Sequence, residues 1–236
     1  MRWREWDELP KGLRIPEVRE YYDILSKKKN SLRLKRCFDV VASLIMLICL
    51  SPIMLVIAIA IVCDSPGGVF YRQERVTQYG KVFRIHKFRT MVSNADKIGT
   101  QVTVRNDSRI TKIGGVLRKY RLDEIPQLLD VLNGSMSYVG TRPEAVKYVK
   151  KYKPEYYATL LLPAGITSET SIRYKDEAEL LETADDIDRV YVEKVLPRKM
   201  KYNLQSIREF SFIGELATMF RTVFAVLGKD YSEKRK

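Results

Sequence analysis

Val40–Cys63 reads VVASLIMLICLSPIMLVIAIAIVC, a run without a charged residue and with Ser51-Pro52 near its middle. Roughly 20 apolar residues cross a bilayer core of about 30 Å, so this run is long enough to be a membrane segment. Pro52 lacks the N–H that would bond the Ile48 carbonyl, and its ring clashes there, which predicts a kink or a break. Each half would be about 16–18 Å long, close to one leaflet. Ser51 is placed to serve the freed backbone groups. Lys27, Lys28, Lys29, Arg33, Lys35 and Arg36 precede the run; Arg72, Arg75, Lys81, Arg84, Lys87 and Arg89 follow it. Lys and Arg are retained on the cytoplasmic side of membrane segments, so basic flanks at both ends suit a hairpin that enters and leaves by one face. A kinked spanning helix is the alternative, and these residues leave both open.

The chain has 236 residues and a formal net charge of +13. A basic excess of this size suits a polyanionic partner. The apolar run favours a membrane surface and a phosphorylated substrate over nucleic acid, for which no RNP-type motif, zinc-finger spacing or basic zipper is present. Cys37, Cys49 and Cys63 all lie in or beside the run. An odd number so placed makes neither a disulfide framework nor a metal site, and fits a reducing compartment. The run starts too late and is too long for the apolar region of a signal peptide, so it is expected to stay in the mature chain.

The expected organisation is a polar N-terminal extension (1–32), a membrane segment (33–64), a core carrying the chemistry (65–160) and a mostly helical C-terminal region (161–236). Trp3 and Trp6 suit a membrane–water interface or a solvated extension. Residues 65–92 read as short strands with a turn at Tyr79-Gly80-Lys81. The lone His86 suits a surface or packing role better than catalysis. A polar connection covers 93–110. Ile113, Val116, Leu117 and Tyr120 recur at helical spacing, and the basic residues around them suit an interfacial helix as well as a core one. A second helix is expected over Asp123–Asn133, with Ile125, Leu128, Leu129 and Leu132 inward. Helix is expected again to about Lys153, loop and extended pieces over 160–175, and mostly helix from Asp185.

Chemistry concentrates at Arg118-Lys119-Tyr120-Arg121-Leu122-Asp123-Glu124-Ile125-Pro126. Neighbouring carboxylates on a helix's first turn point roughly 100° apart, so one can attack an electrophile while the other holds a divalent cation. A helix N-terminus with Arg118 and Arg121 nearby would keep Asp123 ionised, as a carboxylate nucleophile requires. Mg²⁺ suits one carboxylate plus substrate phosphate oxygens, and guanidinium groups suit those oxygens too. Taken alone, however, these residues favour a plain cap, since Asp is among the best N-caps and Pro is tolerated in a first turn.

Six motifs in order resolve the balance. They are Lys35-Arg36-Cys37-Phe38-Asp39 before the apolar run, Phe70-Tyr71-Arg72-Gln73-Glu74-Arg75, Lys87-Phe88-Arg89-Thr90-Met91, Asp107-Ser108-Arg109-Ile110-Thr111, Leu122-Asp123-Glu124-Ile125-Pro126-Gln127-Leu128 and Gly140-Thr141-Arg142-Pro143-Glu144. Over 35–145 the chain resembles the bacterial sugar transferases, small monotopic phosphoglycosyl transferases. Ala164-Gly165-Ile166-Thr167 is similar as well. The resemblance implies that Asp123 attacks the β-phosphate of a UDP-sugar, releasing UMP, and that polyprenol (undecaprenyl) phosphate then takes the sugar phosphate in a ping-pong scheme. It implies Glu124 as the Mg²⁺ ligand, and Arg118 and Arg142 as phosphate or nucleotide groups, with Lys87 and Arg89 as further candidates. It also implies a re-entrant helix-break-helix at Ser51-Pro52, with the catalytic region on the cytoplasmic side of the bacterial inner membrane. Two positions depart from the family pattern: Thr141 stands where Pro is frequent, which would loosen that loop, and His86 stands where an aromatic or basic residue is usual.

The expected fold is therefore α+β and mostly helical: a monotopic membrane protein with a re-entrant segment, interfacial amphipathic helices and a small β element. Partners are a UDP-sugar, polyprenol phosphate and membrane lipids, and exposed apolar C-terminal faces allow a homodimer. The competing reading is a non-enzymatic, membrane-anchored scaffold of polysaccharide assembly, in which Asp123 and Glu124 only cap a helix. The sugar and the final polysaccharide are not legible.

Overall fold

The computed structural model describes residues 3–95, 107–173 and 186–226. Most of the polar connection expected over 93–110, and the charged C-terminal tail, lie outside those residues. Helix α1 (Pro16–Ser26) leads into α2 (Lys29–Asp64), which carries the whole apolar run. Strands β1 (Phe70–Val76) and β2 (Val82–Phe88) form an antiparallel hairpin, with Phe70 opposite Phe88 and Val76 opposite Val82. The turn between them holds Tyr79 and Gly80 at positive φ, as its composition suggests. Then come α3 (Lys112–Lys119), a 3₁₀ turn at Leu122–Glu124, α4 (Gln127–Asn133) and β3 (Met136–Val139). The short α5 (Val146–Val149) and a 3₁₀ stretch at Pro154–Leu161 precede β4 (Ala164–Thr167). Helices α6 (Glu169–Arg173), α7 (Ile187–Val190), α8 (Leu196–Arg208) and α9 (Phe212–Val226) complete the described chain.

Helix α2 is the one described helix long and apolar enough to cross a membrane. A break at Ser51-Pro52 is not seen: helix assignment continues through Pro52. The reason is local. The Ser51 hydroxyl donates to the Ile48 carbonyl at 2.8 Å, which is the acceptor that proline leaves unpaired. Much of the surface from Val41 to Val62 is exposed apolar side chain.

The charged motif at the start of α2 is what docks it. Lys35 Nζ donates to the Val139 carbonyl at 2.8 Å and pairs with Glu215 of α9 at 2.5 Å. Arg36 donates to the Val131 and Leu132 carbonyls at 2.6 and 2.8 Å, serving the end of α4. Asp39 accepts from the Tyr138 N–H at 3.3 Å. At the other end of α2, Arg89 donates to the Ile61, Ser65 and Pro66 carbonyls, and Asp64 accepts from the Ile113 N–H at 2.9 Å. Both ends of the membrane helix are thus bolted to one body.

The N-terminal residues are not a solvated appendage. Leu9, Leu13, Val18, Tyr21, Tyr22 and Leu25 share one apolar cluster with Leu161, Leu196, Met200 and Leu204, and Trp3 and Trp6 pack against it. A second cluster joins Phe83, Ile85, Leu128, Val131 and Met136, with Phe38 and Leu47 of α2 at its margin. Strands β3 and β4 pair in parallel, Met136 beside Ala164 and Val139 beside Thr167. Their ends approach so closely that a Cβ on Gly165 would lie 2.2 Å from the Gly140 nitrogen. That crossing positions the Gly140–Glu144 loop.

Candidate active site

The Asp123 segment differs from the expected helix start. Helix α3 ends at Lys119, and Arg121 reverses the chain in the left-handed region (φ 57) before the three-residue 3₁₀ turn. Helix α4 begins only at Gln127, and neither it nor the 3₁₀ turn has a side-chain cap. Asp123 therefore does not cap a helix, which removes the plain structural account of the pair. Within α4 the deepest residues are Leu128 and Val131; Leu129 and Leu132 are half-buried. On α3 only Leu117 of the expected face is buried, while Val116 and Tyr120 face outward.

Glu124 is buried and lies among cations. Its Oε1 accepts from Arg142 at 2.6 Å and from Lys87 at 3.0 Å, with Arg121 at 3.9 Å. Its Oε2 has only a 3.5 Å approach from Arg142. Burial pushes the Glu124 carboxyl up, but Arg142 and Lys87 outweigh it and hold the group far below the ordinary carboxylate range. Burial pushes the Lys87 ammonium down, opposed by Glu124.

Asp123, also buried, is in the opposite state. Burial raises its pKa above the usual value and Glu124 adds to the rise, while Lys87, Arg118 and Arg121 pull it back only in part. The expectation that nearby cations and a helix terminus would hold Asp123 at low pKa is thus corrected. There is no helix N-terminus there, and desolvation dominates. A desolvated carboxylate is a stronger nucleophile than one locked in an ion pair.

The structure brings Asp123, Glu124, Lys87 and Arg142 into one cluster, and Arg118 is near enough to couple electrostatically with Asp123. Arg89 does not join them, since its guanidinium serves the end of α2. Ser51 and Pro52 lie within α2. Sequence reasoning missed three supports. Arg75, buried, donates to the Pro143 carbonyl at 3.3 Å and steadies the Arg142 loop. Asp107 is held by Arg109 at 2.6 Å and couples to Arg118; its motif was the available signal. His86 has a partner after all: Asp130 Oδ1 lies 2.8 Å from its Nδ1, and Oδ2 accepts from its N–H at 2.8 Å. That pair ties β2 to α4, a packing role.

The donor set can be tested against Mg²⁺. Among the described residues no group of three His, Cys, Asp or Glu side chains converges, so an all-protein cage is excluded there. One carboxylate oxygen with spare capacity, Glu124 Oε2, beside a second carboxylate fits a cation whose other ligands are phosphate oxygens and water.

Residues 30–229 match the bacterial sugar transferase family, and the chain belongs to it. It is 37% identical over 208 residues to the UDP-glucose:undecaprenyl-phosphate glucose-1-phosphate transferase of Escherichia coli, covering 86% of this chain and 42% of that protein. A protein of the same description from Caulobacter vibrioides is 33% identical over 200 residues, covering 83% of this chain and 70% of that one. The UDP-N-acetylgalactosamine-undecaprenyl-phosphate N-acetylgalactosaminephosphotransferase of Aeromonas hydrophila is 34% identical over 197 residues, covering 82% and 44%. The chain spans less than half the length of the Escherichia and Aeromonas relatives.

Proposed function

We propose that this chain transfers a sugar 1-phosphate from a UDP-sugar to undecaprenyl phosphate at the cytoplasmic face of the bacterial inner membrane. The observation that carries the reading is the buried, uncapped Asp123 beside the Glu124–Lys87–Arg142 cluster, mounted on a body bolted to an apolar helix. Relatives named for two different sugars share this region, so the sugar stays open.

In the first half-reaction an Asp123 carboxylate oxygen attacks the β-phosphorus. A bond from Asp123 to phosphorus forms, the bond from the bridging oxygen to the β-phosphorus breaks, and UMP leaves with that electron pair. In the second, an oxygen of the carrier's phosphate attacks the same phosphorus, releasing the Asp123 carboxylate and giving the polyprenol diphosphate sugar. Lys87, Arg118 and Arg142 hold the non-bridging oxygens, the planar guanidinium groups in pairs. Glu124, with a diphosphate bound, would hold Mg²⁺, which neutralises charge developing on the leaving UMP.

Both ends of α2 contact the same body, and both flanks are basic. These features support a segment that enters the membrane and returns by one face, with the bend at Ser51-Pro52. At about 1.5 Å per residue, the 36 residues of α2 exceed the thickness of a bilayer core. On this reading Asp123 lies level with the carrier's phosphate.

Purified full-length protein, undecaprenyl phosphate, Mg²⁺ and a panel of UDP-sugars should release UMP with one or a few sugars. Intact mass should show a phosphosugar adduct that is absent from Asp123→Asn. Absence of UMP release with every sugar favours the scaffold reading, and turnover by Asp123→Asn refutes the nucleophile.

A further inference from the structure

Helix α9 exposes a stripe that water does not suit. Ile213, Ala217, Phe220, Val223 and Phe224 recur at one-turn and two-turn spacing and all are exposed, Ile213 at 79% and Phe220 at 67%. No charged residue interrupts the stripe. The helix does carry charges, but they turn inward: Glu215 pairs with Lys35 at 2.5 Å, and Arg221 with Glu169 at 2.7 Å. A surface helix in water normally shows the reverse arrangement, with polar groups outward.

What covers the stripe follows from its neighbour. Phe212 packs edge-on against Phe38 of α2 with ring centroids 5.9 Å apart, and Met219 sits in the cluster that holds Phe38, Ala42, Leu47 and Leu50. Helix α9 is therefore beside the first half of α2. The exposed side chains there, Val41, Leu44, Ile45 and Ile48, continue the apolar surface onto the membrane helix. A patch continuous with a lipid-facing surface shares its surroundings.

We propose that α9 is an in-plane membrane helix, with its outer stripe seated at the acyl-chain boundary beside the first half of α2. This goes beyond the transfer chemistry and does not depend on it. It gives the body a second attachment, so that its tilt as well as its depth is set.

Phe220→Trp and, separately, Val223→Trp in the full-length protein, reconstituted in vesicles with plain or brominated acyl chains, test this directly. Trp3 and Trp6 supply a background removed by subtracting the parent protein; Gln205→Trp on exposed α8 is the aqueous control. An interfacial helix seats ~5–10 Å deep, so the added emission should be blue-shifted and fall roughly twofold or more in brominated lipid. Red-shifted, unquenched emission from both variants overturns the proposal. So does blue-shifted emission that bromine leaves unchanged and that grows with protein density, because a second copy would then cover the stripe. If Phe220→Trp misfolds, Val223→Trp decides alone.

Discussion

Glu124 and Glu144 are both buried glutamates paired with cations at the Gly140–Glu144 loop, yet their surroundings are built to different ends. Both Glu144 oxygens accept from the Tyr191 hydroxyl at 2.7 Å, and Lys199 lies 2.8 Å away, itself bonded to that hydroxyl at 2.8 Å. Every partner is protein, and the group joins the loop to α8. Glu124 shares one oxygen among Lys87, Arg142 and Arg121, leaves the other nearly free, and stands next to a carboxyl without a cap. Burial pushes both carboxyls up and their cations bring both below the ordinary value. The closed cluster holds shape, while the open one holds charge in readiness for a ligand.

The sharpest way to separate them is Asp123→Asn. Loss of the nucleophile should lower transfer by on the order of 10⁴-fold or more. The same substitution should stabilise the fold near neutral pH, because it removes a buried charge that desolvation disfavours. The Asp123 pKa is raised on folding, so its favourable contribution exists below the unfolded value and is lost as pH rises through the folded one. The advantage of Asn should accordingly vanish as pH falls below the ordinary carboxylate range. Thermal melts of both proteins across pH would show it, and a lower Tm for Asp123→Asn at neutral pH would contradict the desolvation account.

Glu144→Gln should act the other way. It leaves Lys199 charged and buried against a neutral partner, which costs about 3 kcal/mol of stability. Transfer per folded molecule should hold within a few-fold. An unchanged Tm with transfer abolished would move Glu144 into the chemistry. Arg142→Lys is a smaller change: a point charge replaces a planar fork, so the KM for UDP-sugar should rise about tenfold, ~1.4 kcal/mol, with little effect on Tm. A pure fall in kcat would place Arg142 at the transition state alone.

The two clusters were not equally legible. The Asp123–Glu124 pair stood out because local sequence places charges where packing does not need them, and because several motifs recur in order. The apolar run and the β1–β2 hairpin rest on local pattern and turn chemistry, and were legible for the same reason. Glu144 sat inside a motif, but Tyr191 and Lys199 lie far along the chain, and nothing local marks a long-range pair. The β3–β4 pairing was missed likewise: each strand has four residues, too few for a periodicity, and parallel partners are distant in sequence. Lys35, Arg36 and Asp39 read as a basic flank, although each bonds a specific group of β3, α4 or α9. Arg89 read as a phosphate ligand because a lone arginine in sequence does not disclose that its acceptors are the carbonyls of a helix end.

Arg121 is where the open cluster meets backbone cost. It adopts the left-handed conformation at the position where a helix end commonly has glycine. A residue with a Cβ there costs roughly 1–2 kcal/mol, while glycine returns ~0.4–1 kcal/mol of that through its freer unfolded chain. Arg121→Gly should therefore stabilise the protein by ~0.5–1 kcal/mol in denaturant melts. The ion pair lost with the side chain is exposed at the arginine end and 3.9 Å long, so it offsets little. Because the guanidinium stands at the rim of the Asp123–Glu124 cluster, the same variant should bind UDP-sugar a few-fold more weakly. Tolerating strain for a side chain at the site is what a functional position does. If Arg121→Gly instead destabilised the fold and left substrate binding untouched, Arg121 would belong with Glu144, among the residues that hold shape.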